Sequence, residues 1–399
     1  MATATSYIWA RSPFWYKIKN TNLTSLELEI KIYTGAKNAV WAGSPDYKLT
    51  ATSIPDGTDA VVKINVSPMI LDFFKSEMND GVYRQDADQY GCIWVDFRYT
   101  EYISAVAQPS VDDLGYLAFN GYLNFKDGTQ SNITNPFNDK TGILFSNRKI
   151  IKPMDEEINL PINPQYVEEI TMFSNGDQMF HSSPTTPTDS WEHIEYFNVS
   201  DNIGNFQARV LNDGGIWEAS GCSRALDSEE ATYPIDNILI QVKDVVTKIE
   251  VENVCERKYT PYKIIYLNRY GALQDLWMFK RKDEALKVKK STFKRNILEV
   301  WNNEDFSITA HQTDVLDVNG VTSVILNSGF YPEENNELFR QLLLSPKVWI
   351  MLNNEADGVG LYPVTLTSSN ITYKTHLNNK LIEYALGFEY SFSAIQNIR

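Results

Sequence analysis

Hydrolytic and group-transfer chemistry needs a nucleophile, an acid or base, a metal cage or a phosphate cradle, and this sequence offers few of their parts in usable spacing. The four histidines, His181, His193, His311 and His376, form no HxH or HExxH pattern, and no GxSxG serine motif accompanies them. Asp112-Asp113, Asp155-Glu156-Glu157, Glu168-Glu169 and Glu229-Glu230 bring carboxylates together in sequence. A glycosidase needs two carboxylates flanking one bond, whereas neighbouring acids on a strand point to opposite faces and acids in loops meet water. Asp86-Ala87-Asp88 is too short for a calcium loop, and no glycine-rich loop follows a strand to open a helix around a phosphate. Cys92, Cys222 and Cys255 lie far apart with no CxxC pair and read as buried thiols in a reducing compartment. These residues predict no enzyme, no cofactor and no metal site.

Two groups suit contact better than reaction. Trp9, Phe14, Trp15 and Tyr16 cluster near the N-terminus. Exposed, such rings stack on sugars; otherwise they seat a terminal arm on a neighbouring subunit or on the chain's own core. The segment from Lys280 to Arg295 holds eight Lys or Arg against Asp283 and Glu284, with Lys280, Arg281, Lys282, Lys287, Lys289 and Lys290 as the candidate contact residues. It reads either as a basic surface for an acidic partner or as a solvated outer strand whose lysines discourage edge pairing.

The elements that position these groups read as β. Aromatics make up 13% of 399 residues, a composition that favours pleated faces and interfaces. The net charge of −15 excludes a surface given over to gripping nucleic acid, because a clamp must neutralise phosphates with cations. No signal peptide or apolar run long enough for a membrane helix is expected, and the five Asn-x-Ser/Thr sequons, the first at Asn22, read as chance in an Asn-rich chain.

Leu26, Leu28, Ile30 and Ile32 alternate with charge and predict a half-buried strand, paired in a hairpin with Phe14 to Ile18. Ala60 to Val66 follows a Pro55-Asp56-Gly57 turn; Ser67 then reads as the N-cap of a helix running from Pro68 to about Met78. Ile93 to Tyr99 and Leu117 to Phe125 continue a β meander. Residues 148–163 read as a linker, and Ser174 to Asp189 as a long loop. Strands are expected at Ile194 to Val199, Phe206 to Leu211 and Ile238 to Val246. Tyr262 to Leu267 is apolar on both faces, as a doubly covered strand should be; Asn268 to Gly271 reverses it, and Leu276 to Phe279 returns. Pro332-Glu333-Glu334 opens a helix that Ser345-Pro346 ends, Val348 to Leu352 is a strand, and Ile382 to Phe392 alternates throughout. The expectation is a mainly β chain of sandwich-like modules with one or two short helices in connections, divided at 1–150, 151–255 and 256–399.

The stretch YxxxYLNRYGALQDLWMF at Tyr262 to Phe279, the basic segment after it and the closing YPVTLTSSNITYKTHLNNKLIEYALGFEYSF resemble virion proteins of tailed phages that infect Bacteroidetes, the crAss-like group above all. SPFWYKIKN, LELEIKIYTG and INVSPMILDFF near the N-terminus are similar to the same kind of protein. The resemblance implies a structural tail or neck component made in the host cytoplasm and located in the virion. Such a ring or hub subunit would contact copies of itself and other tail, neck or portal-side proteins, without a membrane anchor, and would meet DNA only transiently in a lumen. The alternative is a receptor- or glycan-binding β-sandwich.

Overall fold

A computed structural model describes residues 6–33, 40–74, 91–128, 143–154, 156–163, 167, 169–174, 177–184, 194–199, 217–218, 235–242, 245–254, 258–297, 308–354, 358–368 and 381–395. It is mainly β, with several sheets, two α-helices among the described residues and sandwich-like packing.

The first group comprises β1 (Ser6–Trp9), β2 (Trp15–Asn20), β3 (Leu23–Tyr33), β4 (Tyr47–Thr52), β5 (Ile54–Asp56), β6 (Asp59–Asn65), α1 (Ser67–Leu71), β7 (Cys92–Ile103), β8 (Val106–Ala107) and β9 (Val111–Phe119). One sheet runs β1-β9-β7-β3-β4, with β8 on β7, and a smaller one runs β2-β6-β5. Leu28, Ile30, Val95 and Phe97 from the large sheet meet Tyr16, Val66 and Ile70 from the other side. The expected hairpin between Phe14–Ile18 and the following strand does not form, because β2 pairs with β6 in the opposite sheet. The alternating apolar row of β3 needs a covering layer, and β2 supplies part of it. The helix also differs. Ser67 is its first residue, the N-cap is Val66, and the Ser67 hydroxyl instead accepts from the Phe14 amide at 2.7 Å and donates to the Ser12 carbonyl at 2.6 Å. Its α-helical turns end at Leu71, short of the expected Met78, and residues 75–80 lie outside the described ones. Leu123 to Phe125 do not continue the meander: a 3-10 turn starts at Phe125, which is exposed.

The second group is β10 (Lys149–Pro153), β11 (Ile158–Ile162), β12 (Glu169–Ser174), β13 (Asp177–Pro184), β14 (Glu195–Val199), β15 (Trp217–Glu218), β16 (Asn237–Val242) and β17 (Val245–Val254). The sheet β10-β17-β16-β12-β13-β15 packs against the pair β11-β14 through Ile158, Leu160, Phe197, Ile170, Ile238 and Ile249. The expected linker at 148–163 is thus two buried strands. Its prolines fall within or near strand ends, and Lys152, fully buried, donates to the Glu156 carbonyl at 3.0 Å. Part of the expected loop from Ser174 to Asp189 is likewise strand β13, while the expected strand at Phe206 to Leu211 lies outside the described residues.

The third group is β18 (Tyr262–Leu267), β19 (Leu273–Met278), β20 (Lys282–Lys294), β21 (Thr313–Pro332), α2 (Asn336–Leu343), β22 (Val348–Asn354), β23 (Gly358–Leu366) and β24 (Leu381–Ser393). They form one sheet ordered β19-β18-β22-β23-β24-β21-β20. Leu338, Phe339 and Leu342 of α2 cover one face over Tyr266, Leu276, Val324, Tyr331, Ile350 and Phe388. The 20-residue β21, the longest strand described, carries no strict alternation that would announce it in the sequence. Strand pairing falls in three blocks, within 6–119, 149–254 and 262–393, apart from a bridge between Ile143 and Ile162.

Candidate assembly surface

The hairpin β18–β19 is where the three groups meet. One of its faces, Ile264, Tyr266, Leu276 and Met278, lies under α2. The opposite face carries Ile265, Leu267 and Leu273 against Trp349 and Tyr196, with Trp277 entering the core of the second group. Two charges sit on that second face. Lys263 Nζ lies 3.0 Å from Asp275 Oδ2, with both side chains almost wholly buried. Burying an ion pair is tolerable only when the remaining donors and acceptors are also satisfied. Lys263 donates to the Glu157 carbonyl at 3.1 Å, and Asp275 accepts from the Asn159 amide at 2.9 Å, so both charges tie the hairpin to β11.

The reversal at its tip docks on the first group. Asn268, fully buried, uses its Oδ1 to accept from the amides of Tyr270 and Ala272 and its Nδ2 to donate to the Leu144 carbonyl and Gln274 Oε1. Gly271 has φ +80°, and a Cβ there would lie 2.7 Å from the Asn120 carbonyl carbon, so both backbone shape and space demand glycine. The Arg269 carbonyl accepts from the Tyr122 amide at 2.8 Å, while its own amide donates to Gln341 of α2 at 3.2 Å. The Arg269 guanidinium lies over the Tyr270 ring. This is a structural junction, in keeping with the reading of Asn268 to Gly271 as a turn.

The aromatic candidates separate. Trp9 is buried, packed on Phe119 and on Tyr270 of the docked turn. Phe14 stacks on Phe97 and meets Tyr116 edge-on; Tyr16 is buried with its hydroxyl donating to Asp113 Oδ2 at 3.0 Å. Burial, with the Asp113 charge adding to it, raises the Tyr16 phenol far above its ordinary value. Trp15 alone is exposed, at 54%, on the outward side of β2. Alternation along β2 sends Tyr16 inward and Trp15 outward, so the four rings form no single platform.

The basic candidates stay together on β20 and the turn leading to it, at the edge of the seven-stranded sheet. Lys282 pairs with Glu284 at 2.8 Å and lies over the Tyr262 ring; Arg281 pairs with Asp283 at 2.6 Å, and Lys287 with Glu389 at 3.7 Å. Lys280 is exposed, its stem beside Gly329. Lys289 and Lys290 are exposed, with no acid in ion-pair range among the described residues. Exposed pairs of this kind contribute about 0–1 kcal/mol each, so they do not account for holding the strand in place.

The sequence reading overlooked the partner strand. β21 pairs with β20 from Leu326 opposite Lys282 out to Thr313 opposite Lys294, whereas β24 pairs with β21 only as far as Val321 opposite Ser393, the following Ala394 and Ile395 amides still donating to the Gly320 carbonyl and to Asn319 Oδ1. Beyond Asn319, β20–β21 is therefore a two-stranded ribbon among the described residues, extending past its sheet. Leu286, Val288, Val315 and Val318 are exposed along the pair.

Among the described residues no group of three or more His, Cys, Asp or Glu side chains is arranged to hold a metal ion, and no helix is long and apolar enough to cross a membrane. Comparison with family models, curated proteins and solved structures returns no match.

Proposed function

We propose that this chain is a non-enzymatic structural protein of a tailed-phage virion, a tail or neck ring or hub subunit that joins neighbouring components around the DNA path. The observation that carries the reading is the contrast between a body interlocked by buried polar links and a projecting ribbon whose apolar side chains are left exposed among the described residues. A self-contained globule has no use for such an extension, whereas an assembling subunit does. The resemblance of Tyr262 to Phe279 to phage virion proteins points the same way, since that stretch is the junction of all three groups. The charge of −15 suits a conduit that repels phosphate and lets DNA slide.

Mass photometry and negative-stain imaging of the purified chain, with mass spectrometry of virions, test the proposal. Ring-shaped oligomers and presence in particles are expected; a strictly monomeric protein absent from virions would overturn it. The exposed Trp15 is what favours the rival reading of a glycan-binding sandwich. On a glycan array that reading requires binding that Trp15→Ala abolishes.

A further inference from the structure

Strand β20 ends its sheet, so the outward N–H and C=O groups of its alternate residues have no strand partner among the described residues. Native edges are normally kept short, broken by a bulge or proline, or covered. The edge strands β1, β4, β10 and β19 have only four to six residues each. β20 has 13, contains neither glycine nor proline, and is exposed from Glu284 to Lys294. The ribbon does hold a bulge, but its extra residue is Leu316 of β21, between Asp317 opposite Ser291 and Val315 opposite Thr292. No inserted residue interrupts β20 itself.

The remaining guard is lysine, and lysine guards selectively. From Ala285 to Arg295 the chain carries five cations, Lys287, Lys289, Lys290, Lys294 and Arg295, and no acid. Little of that charge is used internally. Lys287 meets Glu389 at 3.7 Å and Arg295 meets Asp314 at 3.6 Å, both long, while Lys289, Lys290 and Lys294 have no acid in ion-pair range among the described residues. Asp314 and Asp317, the two acids of β21, lie one strand in from the edge. A second β20 laid along this edge would set lysines about 5 Å from lysines and be repelled, whereas an acidic strand would be drawn in. Alternation adds the rest of the match. Ala285, Lys287 and Lys289 share one face, and Leu286, Val288 and Lys290 the other, with Leu286 56% exposed and Val288 49%. A complementary strand therefore carries carboxylates on one face and aliphatic side chains on the other.

We propose that the outer edge of β20 takes up an extended acidic segment of a partner protein as an eighth strand of this sheet, carboxylates against Lys287 and Lys289 and an aliphatic row against Leu286 and Val288. Main-chain hydrogen bonds hold such a strand, and the side-chain pairs select it. The inference goes beyond the assembly reading and does not rest on it: a chain absent from virions would leave it standing, and its own failure would leave the assembly reading untouched.

The test uses the full chain and three labelled synthetic peptides: alternating Val and Glu, the same sequence N-methylated at every amide, and alternating Val and Lys. Fluorescence anisotropy reads affinity, and hydrogen exchange of the protein reads where the peptide lies. The Val/Glu peptide should bind about tenfold or more tightly than either of the others and slow exchange within 285–294. Its binding should weaken with salt. Lys287→Glu with Lys289→Glu should reverse the preference toward the Val/Lys peptide, with circular dichroism and the thermal melt unchanged because both side chains are exposed. No binding of the Val/Glu peptide, equal binding of its N-methylated form, or protection confined to other strands overturns the proposal. Duplex DNA bound through Lys287 and Lys289, with the Val/Glu peptide left unbound, would assign the edge to phosphate and reject the added strand.

Discussion

At the scale of single residues, the molecule depends on polar groups placed where a hydrophobic pattern would not put them. Asp275→Ala leaves Lys263 charged and buried without its counter-ion, and should lower stability by about 3–5 kcal/mol in urea unfolding. Lys263→Met combined with Asp275→Leu removes both charges, and should cost much less than either single loss. A double change costing as much as the two single losses added together would show that the two charges do not act as a pair. Gly271→Ala faces both a positive φ and a Cβ 2.7 Å from the Asn120 backbone, and backbone in that region costs a non-glycine residue roughly 1–3 kcal/mol before any clash. A melting temperature indistinguishable from wild type would show that the turn can shift away from Asn120.

At the scale of elements, α2 is held by its burial rather than its length. Eight residues form too few turns to stand alone in water, and its N-cap makes no side-chain hydrogen bond. Phe339 is fully buried, edge-on to Tyr331 at 5.2 Å and close to Tyr384 at 4.3 Å between ring centres. Phe339→Ala should cost about 3–5 kcal/mol and uncover the sheet face beneath, read as dye binding to exposed apolar surface before global unfolding. If the loss is below about 1 kcal/mol, the helix is not what seals that face. The ribbon β20–β21 is the opposite case, with exposed side chains on both its surfaces, and substitutions there should alter association while leaving the melt unchanged.

At the scale of the whole molecule, the buried phenols set an alkaline limit. Tyr196, Tyr266 and Tyr331 are held well above the ordinary value of 10.0 by burial; a hydrogen bond from the Leu273 amide opposes this at Tyr196, while the Tyr331 hydroxyl donates to the Trp277 carbonyl at 2.6 Å. Their folded-state values lie above the unfolded one, so the native state keeps protons that the unfolded chain gives up. Their contribution is complete below pH 10.0 and is lost as pH rises beyond it, at about 1.4 kcal/mol per unit for each phenol still protonated in the fold. The melting temperature should fall steeply in that range, with phenolate absorbance from these residues rising only on unfolding. Absorbance that titrates fully near pH 10.0 while the fold persists would contradict it.

Local pattern was enough to read much of this chain. Strict alternation marked β3 and β24, apolar runs marked β18 and the end of β19, and proline with acids marked the start of the segment that becomes α2. The mainly β class follows from these, because side-chain period reports which faces are covered. Pairing partners were not legible. β2 and β3 adjoin in sequence yet belong to opposing sheets, since a sandwich needs its second layer more than a short hairpin. Prolines and charges made 148–163 read as a linker, but its strands are buried because β14, β17 and β19 cover them. Of the contact candidates, residue type and spacing alone selected the basic strand and the aromatic cluster together. Tertiary packing turned Trp9, Phe14 and Tyr16 inward, and it left β20 at an edge beside a strand whose irregular sequence concealed it. What the sequence by itself determined is the set of strands with clear alternation and the acidity of the chain; only the tertiary structure decided which faces are spent on the core and which remain open, because burial depends on neighbours far away in the sequence.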